Sequence, residues 1–130
     1  MTGDGRVLGM GGLFFRARAP DALAAWYREH LDVGAGCGAQ DDEGNGWSWH
    51  TGAGPMIFAP FAADSDYFAA DKGFMLNFRA SGLDALVARL AASGIDAERR
   101  DEWDSPETGR FARIHDPDEN TIELWEPPAG

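Results

Sequence analysis

One stretch of this chain is written twice. Residues 13–25 read LFFRARAPDALAA and residues 76–88 read LNFRASGLDALVA, so Leu13 falls on Leu76, Phe15 on Phe78, Arg16 on Arg79, and Asp21-Ala22-Leu23 on Asp84-Ala85-Leu86, always 63 positions apart. Self-similarity at a fixed offset is the signature of one supersecondary unit used more than once. Chance likeness between two alanine-rich amphipathic helices would explain the second part of each copy. It would not explain the matching strand residues or the matching spacing from strand to helix. Two related halves imply a cleft between them.

Each copy carries its own structural punctuation. Residues 13–19 alternate with period two and predict a strand. Pro20 and Asp21 then open a helix, in which Leu23, Trp26, Tyr27 and Leu31 recur at helical spacing up to Gly34. Short strands are expected near 35–39, 46–51 and 55–61, separated by turn-forming residues. Residues 62–72 read as a loop with Asp64, Tyr67 and Phe68, and the second unit begins at Phe74. Ser81 with Asp84 resembles a capping box, Leu83, Leu86, Val87 and Leu90 supply the buried face of a second helix, and Gly94 suits a left-handed cap. Strands are expected near 95–100, 109–115 and 121–126, the last two joined by the turn Asp116-Pro117-Asp118-Glu119-Asn120.

The chain's 130 residues fit one domain, and a domain of this size buries enough surface to fold without disulfides. Cys37 is the only cysteine, which excludes an internal bridge and a cysteine-based zinc cluster, and its Gly-Cys-Gly setting has no cation to activate a thiol. The N-terminal residues contain no apolar core of signal-peptide length, and no run of about 18 apolar residues occurs anywhere. A soluble protein of the reducing cytoplasm is therefore expected. Eleven Lys and Arg against 22 Asp and Glu give a net charge of −11, whose field repels nucleic acid and anionic membrane surfaces. The acid is spread over loops such as Asp41-Asp42-Glu43, where it serves solubility or draws a cationic ligand.

Strand, helix and three strands, repeated, make a βαβββ module used twice. In this arrangement the chain resembles the vicinal oxygen chelate superfamily of glyoxalase, bleomycin-resistance and extradiol-dioxygenase proteins. The likeness rests on FFRARAPDALAAWYREHLDV, on MLNFRASGLDALVARLAASGI and on the closing GRFARIHDPDENTIELWEP. It implies an α+β fold in which module 13–61 and module 74–127 form a curved mixed sheet with a concave cup, all within a single domain 1–130. It also implies a homodimer, since modules of this kind complete their cups by pairing. The closing turn departs from the family pattern, with Glu119 where glycine is usual; either Glu119 takes a positive φ or Asn120 assumes that role.

Metalloenzymes of the superfamily place ligands on the cup side of four strands, and the matching positions here are Gly12, Phe58, Met75 and Glu123. Glycine and phenylalanine offer no donor, and methionine is too soft for the hard divalent ions such sites hold. Of the three histidines, only His50, at the end of Trp47-Ser48-Trp49-His50, stands where it could join Glu123, and a surface position at a strand end is the commoner reading of such a residue. No cofactor is expected, with a divalent ion at Glu123 and His50 as the alternative.

Strand parity indicates what occupies the cup instead. With Glu123 facing it, Arg16, Arg18, Asn77, Arg79 and Trp125 share that side, while Leu13, Phe15, Leu76, Phe78, Ile122 and Leu124 face the helices. Glu123 should stand across the ladder from Arg113, and mutual pairing is as good an explanation of these two as contact with a ligand. Trp47 and Trp49 lie on one side of a strand, and with Trp125 they make either a ring-lined wall or ordinary core. The residues expected to touch a ligand are thus Arg16, Arg18, Asn77, Arg79, Arg113, Glu123, Trp47, Trp49 and Trp125. Two functions compete. The first is a metal-independent small-molecule binding protein of the bleomycin-resistance type, and the second a metal-dependent lyase, isomerase or dioxygenase. Catalysis by Glu123 or His115 as a general base without metal has no positive signal in the sequence.

Overall fold

The computed structural model describes residues 5–6, 13–34, 51–54 and 56–128. Helix α1 covers Pro20–Leu31, starting at the proline as the sequence predicts and burying Leu23 and Tyr27. It ends before Gly34, because Asp32 turns left-handed at φ 56° and its N–H reaches back to Arg28 O. The second half runs β1 (Leu76–Arg79), α2 (Leu83–Ala92), a single 3-10 turn at Asp101–Trp103, β2 (Arg110–His115) and β3 (Thr121–Glu126). These strands form a small open sheet in the order β1-β3-β2, with β3 in the middle, parallel to β1 and antiparallel to β2.

Period-two alternation explains the sheet's two faces. Leu76, Ala112, Ile114, Ile122 and Leu124 turn inward and are closed over by Leu83 and Leu90 of α2 and by Leu23 and Tyr27 of α1. This is the helix side expected from parity for Leu76, Ile122 and Leu124. Residues on the opposite side of β3, including Glu123, share a face with Asn77 of β1 and Arg113 of β2, both of which stand in register with it.

Three expected strands are not formed as the sequence predicts. Residues 13–19 form no strand, and the N–H of Arg18, which a ladder would have used, donates to the Asp118 carboxylate at 3.3 Å. Residues 56–61 are likewise outside any strand and exposed; Pro60 among them has no N–H to give a ladder. The strand expected at 95–100 contracts to one antiparallel bridge, Glu98 to Arg113, before the chain enters the 3-10 turn. The full two-module sheet is therefore not seen among the described residues, and the expected strands at 35–39 and most of 46–51 lie outside them.

Helix α2 is capped differently from the capping-box expectation. Gly82 is its N-cap, and Glu126 at the end of β3 accepts from Gly82 N at 2.9 Å and Leu83 N at 3.4 Å, placing an anion at the positive end of the helix. Asp84 pairs instead with Arg110 and, at 2.8 Å, with Arg99, and these guanidinium groups hold its carboxyl below the usual range. Gly94 takes the left-handed conformation expected of it, with φ 82°.

The turn 116–120 is organised by one buried carboxylate. Asp116 accepts from Asp118 N at 2.8 Å, Asn120 N at 2.9 Å, Asn120 Nδ2 at 2.8 Å and, from α1, the Tyr27 hydroxyl at 2.6 Å. Burial, then this bond, pushes the Tyr27 hydroxyl well above its ordinary pKa. Glu119 itself takes φ 63°, so the turn is kept and the glycine's conformation is imposed on a residue with a Cβ. Its side chain is exposed, and its backbone N–H donates to Asp116 O at 2.8 Å. Glu119→Gly should therefore raise the unfolding free energy in urea by about 0.5–1 kcal/mol. A loss of stability would show that the Glu119 side chain makes a contribution the turn geometry does not explain.

Candidate ligand site around Glu123

Glu123 sits at the middle of the central strand with only 7% of its surface exposed. A buried carboxylate must be supplied with donors, and two elements supply them. Asn77 Nδ2, in register on β1, donates to Oε1 at 2.8 Å. The Tyr67 hydroxyl, from the loop between residues 62 and 75, donates to Oε2 at 2.6 Å. The loop is held in place by Tyr67 N to Ser65 Oγ at 3.2 Å, and by Lys72 Nζ, which donates to Asp118 O at 3.0 Å. Burial foremost, then the bond and charge of Glu123, push the Tyr67 hydroxyl up to about 12, with Arg113 acting in the opposite sense.

Arg113 stands directly across the ladder from Glu123, as the five-residue turn predicts. The two make no ion pair. The Arg113 guanidinium instead lies over two rings, 4.7 Å from the centroid of Tyr67 and 5.0 Å from that of Trp103. Its Nε and Nη2 are buried, and no acceptor among the described residues reaches them. Trp103 belongs to the 3-10 turn and is also overlain by Arg100 at 5.4 Å. Beyond Glu123 on β3, Trp125 stacks on Phe111 with 6.3 Å between centroids and 7° between planes, and its Nε1 donates to Thr108 O at 2.6 Å.

The other arginines expected in the cup have different surroundings. Arg79 donates to Gly52 O at 2.7 Å and Ala53 O at 3.2 Å, gripping the turn at 51–54. A Cβ on Gly54, whose φ is 156°, would run into this guanidinium, so the close approach depends on glycine. Arg18 is exposed and pairs with Asp118 at 3.0 Å, with Nη2 also donating to Pro117 O at 3.0 Å. Arg16 is exposed in the segment before α1. Trp47, Trp49 and His50 lie outside the described residues. The structure thus brings Asn77, Arg113 and Glu123 together and assigns Arg18 and Arg79 protein partners.

Sequence reasoning missed Tyr67 and Trp103 as site residues. Both are large rings in polar loops, and no periodicity marks a loop side chain that folds back over a sheet. The same loop encloses a cavity of about 590 Å³ lined by Phe61, Phe68, Phe74, Met75 and Lys72, within the size range of small-molecule sites. Phe61 joins it to the Glu123 cluster, with its ring 5.7 Å from Phe68 and 5.5 Å from Tyr67.

A divalent ion does not fit the described donor set. Both Glu123 oxygens already accept hydrogen bonds, Phe58 is 80% exposed and has no donor, and Met75 offers only a thioether. No three His, Cys, Asp or Glu side chains come together among the described residues.

The profile of the glyoxalase-like domain matches residues 12–125. The chain belongs to that family, within the vicinal oxygen chelate superfamily. One solved structure similar to this glyoxalase-like domain is that of TnmS3, an antibiotic binding protein from Streptomyces sp. CB03234. It is 36% identical over 40% of this chain and 40% of its own, with a TM-score of 0.32. No curated protein matches the chain. No helix among the described residues is long and apolar enough to cross a membrane.

The chain has two tyrosines, and the hydroxyls of both are raised above the ordinary value of 10.0. A raised folded-state value means that the neutral phenol stabilises the fold below pH 10, and that this contribution is lost as pH climbs towards the folded-state value. Tyrosinate absorbance should therefore stay flat through pH 10, and Tyr67→Phe should remove the earlier of the two steps. A one-tyrosine step at the ordinary value would break the Tyr67–Glu123 assignment.

Proposed function

We propose that this glyoxalase-like domain binds a small molecule without a metal ion, holding it against the rings and arginine of the sheet face around Glu123. One observation carries this reading. The one carboxylate at an inherited ligand position is buried, and both its oxygens accept from neutral donors, Tyr67 and Asn77. A carboxylate serving a hard cation needs a lone pair directed at the ion and further oxygen donors around it. Here two of its roughly four lone-pair sites go to a phenol and an amide, and the inherited positions Phe58 and Met75 add no oxygen donor.

The surroundings support the same reading. Aromatic walls with a few placed polar groups are what a small-molecule cleft requires, and Tyr67, Trp103, Phe61 and Phe68 provide the rings. Arg113 provides the charge, with Trp125 further along β3. In this reading Arg18 and Arg79 act at one remove, by fixing the closing turn and the turn at 51–54, and Arg16, Trp47 and Trp49 are proposed as further ligand contacts. We further propose that the protein is a homodimer; exposed apolar side chains such as Phe14, Ile57 and Phe58 are surface that pairing would cover.

Light scattering with elemental analysis on one chromatographic peak tests both statements. The expected result is a particle of twice 14.0 kDa with far less than one equivalent of zinc, nickel, iron or manganese. One equivalent of metal that disappears in Glu123→Ala would replace binding by the metal-dependent lyase, isomerase or dioxygenase reading. A 14.0 kDa particle would refute the dimer.

A further inference from the structure

We infer that the ligand of this site presents a carboxylate, and that the side edge of Arg113 reads it. The inference rests on the binding reading above and names the chemical class that reading leaves open. An arginine stays charged at every relevant pH, and a buried guanidinium needs an anion or several oxygen acceptors. Arg113 has neither among the described residues at two of its nitrogens. Both neighbouring carboxylates are committed elsewhere. Glu123 accepts from Tyr67 and Asn77, and Glu98, which bridges Arg113 through the backbone, takes Arg100 Nε at 2.6 Å with its side chain.

The two nitrogens without acceptors are informative as a pair. Nε and Nη2 form one edge of the guanidinium, with two N–H bonds nearly parallel, which is the edge that grips both oxygens of a carboxylate. The same group lies over the rings of Tyr67 and Trp103, 4.7 and 5.0 Å from their centroids. An anion reaching this edge meets two nearly parallel N–H donors, which a carboxylate matches with both of its oxygens. Both rings come from outside the three-stranded sheet, one from the loop before β1 and one from the 3-10 turn. An open cleft of about 590 Å³, lined in part by Phe61, whose ring lies 5.5 Å from that of Tyr67, provides room for the rest of the ligand.

A matched pair of probes isolates the charge, namely 2-naphthoate and 2-naphthamide, followed by calorimetry or tryptophan quenching. The natural protein should prefer the carboxylate by about tenfold or more, and Arg113→Met should bring the two within about twofold. Arg113→Lys, which keeps the charge and loses the parallel fork, should fall between them, and circular dichroism checks that each variant is folded. Equal binding of both probes by the natural protein would overturn the carboxylate inference while leaving small-molecule binding in place. So would a tenfold preference that survives in Arg113→Met or, should that variant not fold, in Arg113→Lys. Failure of both probes to bind would overturn the inference, and failure of neutral aromatic ligands as well would remove the binding reading with it.

Discussion

Everything at this site depends on satisfying one carboxylate in the middle of a sheet. Glu123 cannot be removed from water without donors, and the donors it finds determine which parts of the chain meet. Asn77 fixes the neighbouring strand's polar side chain against it, and Tyr67 draws the loop after residue 62 over the sheet face. With Tyr67 in place, Arg113 has one of the two rings it lies over, and Trp103 supplies the other. Both of these donors are neutral, an amide and a phenol.

A second buried carboxylate does the corresponding structural work at the edge of the fold. Asp116 closes the turn between β2 and β3 and binds the Tyr27 hydroxyl, so helix α1 of the first half is tied to the last hairpin of the second. That turn fixes the register that sets Arg113 opposite Glu123. The ion pairs of Asp84 with Arg99 and Arg110 lie on the surface, where such contacts contribute little. The contrast is physical: the two buried carboxylates each have several short bonds and no alternative in water, whereas the exposed one has both.

Much of the second half was legible in the sequence because its signals are periodic. Leu83 and Leu90 at helical spacing, alternation through 121–126 and the turn-forming Asp116 to Asn120 gave α2, β3 and the Arg113–Glu123 register. Residues 13–19 alternate and residues 56–61 follow turn formers, yet neither segment forms a strand, since a ladder needs a partner that local pattern does not specify. The cap of α2 was misread for a related reason: Ser81 is close in sequence, but Glu126 arrives through the sheet. Arg79 was legible as a polar residue on its strand, whereas its grip on the 51–54 carbonyls depends on a turn brought in from the other half. Tyr67 and Trp103 were the costly omissions, because long-range side-chain contacts from loops leave no period to detect.

The most direct test of this account is a double-mutant cycle between Tyr67→Phe and Glu123→Gln, read by urea unfolding of the natural protein, both single variants and the pair. If the phenol and the carboxylate form the bond that organises the site, their coupling should be about 1.5–3 kcal/mol, the scale of a hydrogen bond to a charged group. Additive effects, with coupling near zero, would mean that Glu123 is satisfied without Tyr67 and that the site is not built around this pair.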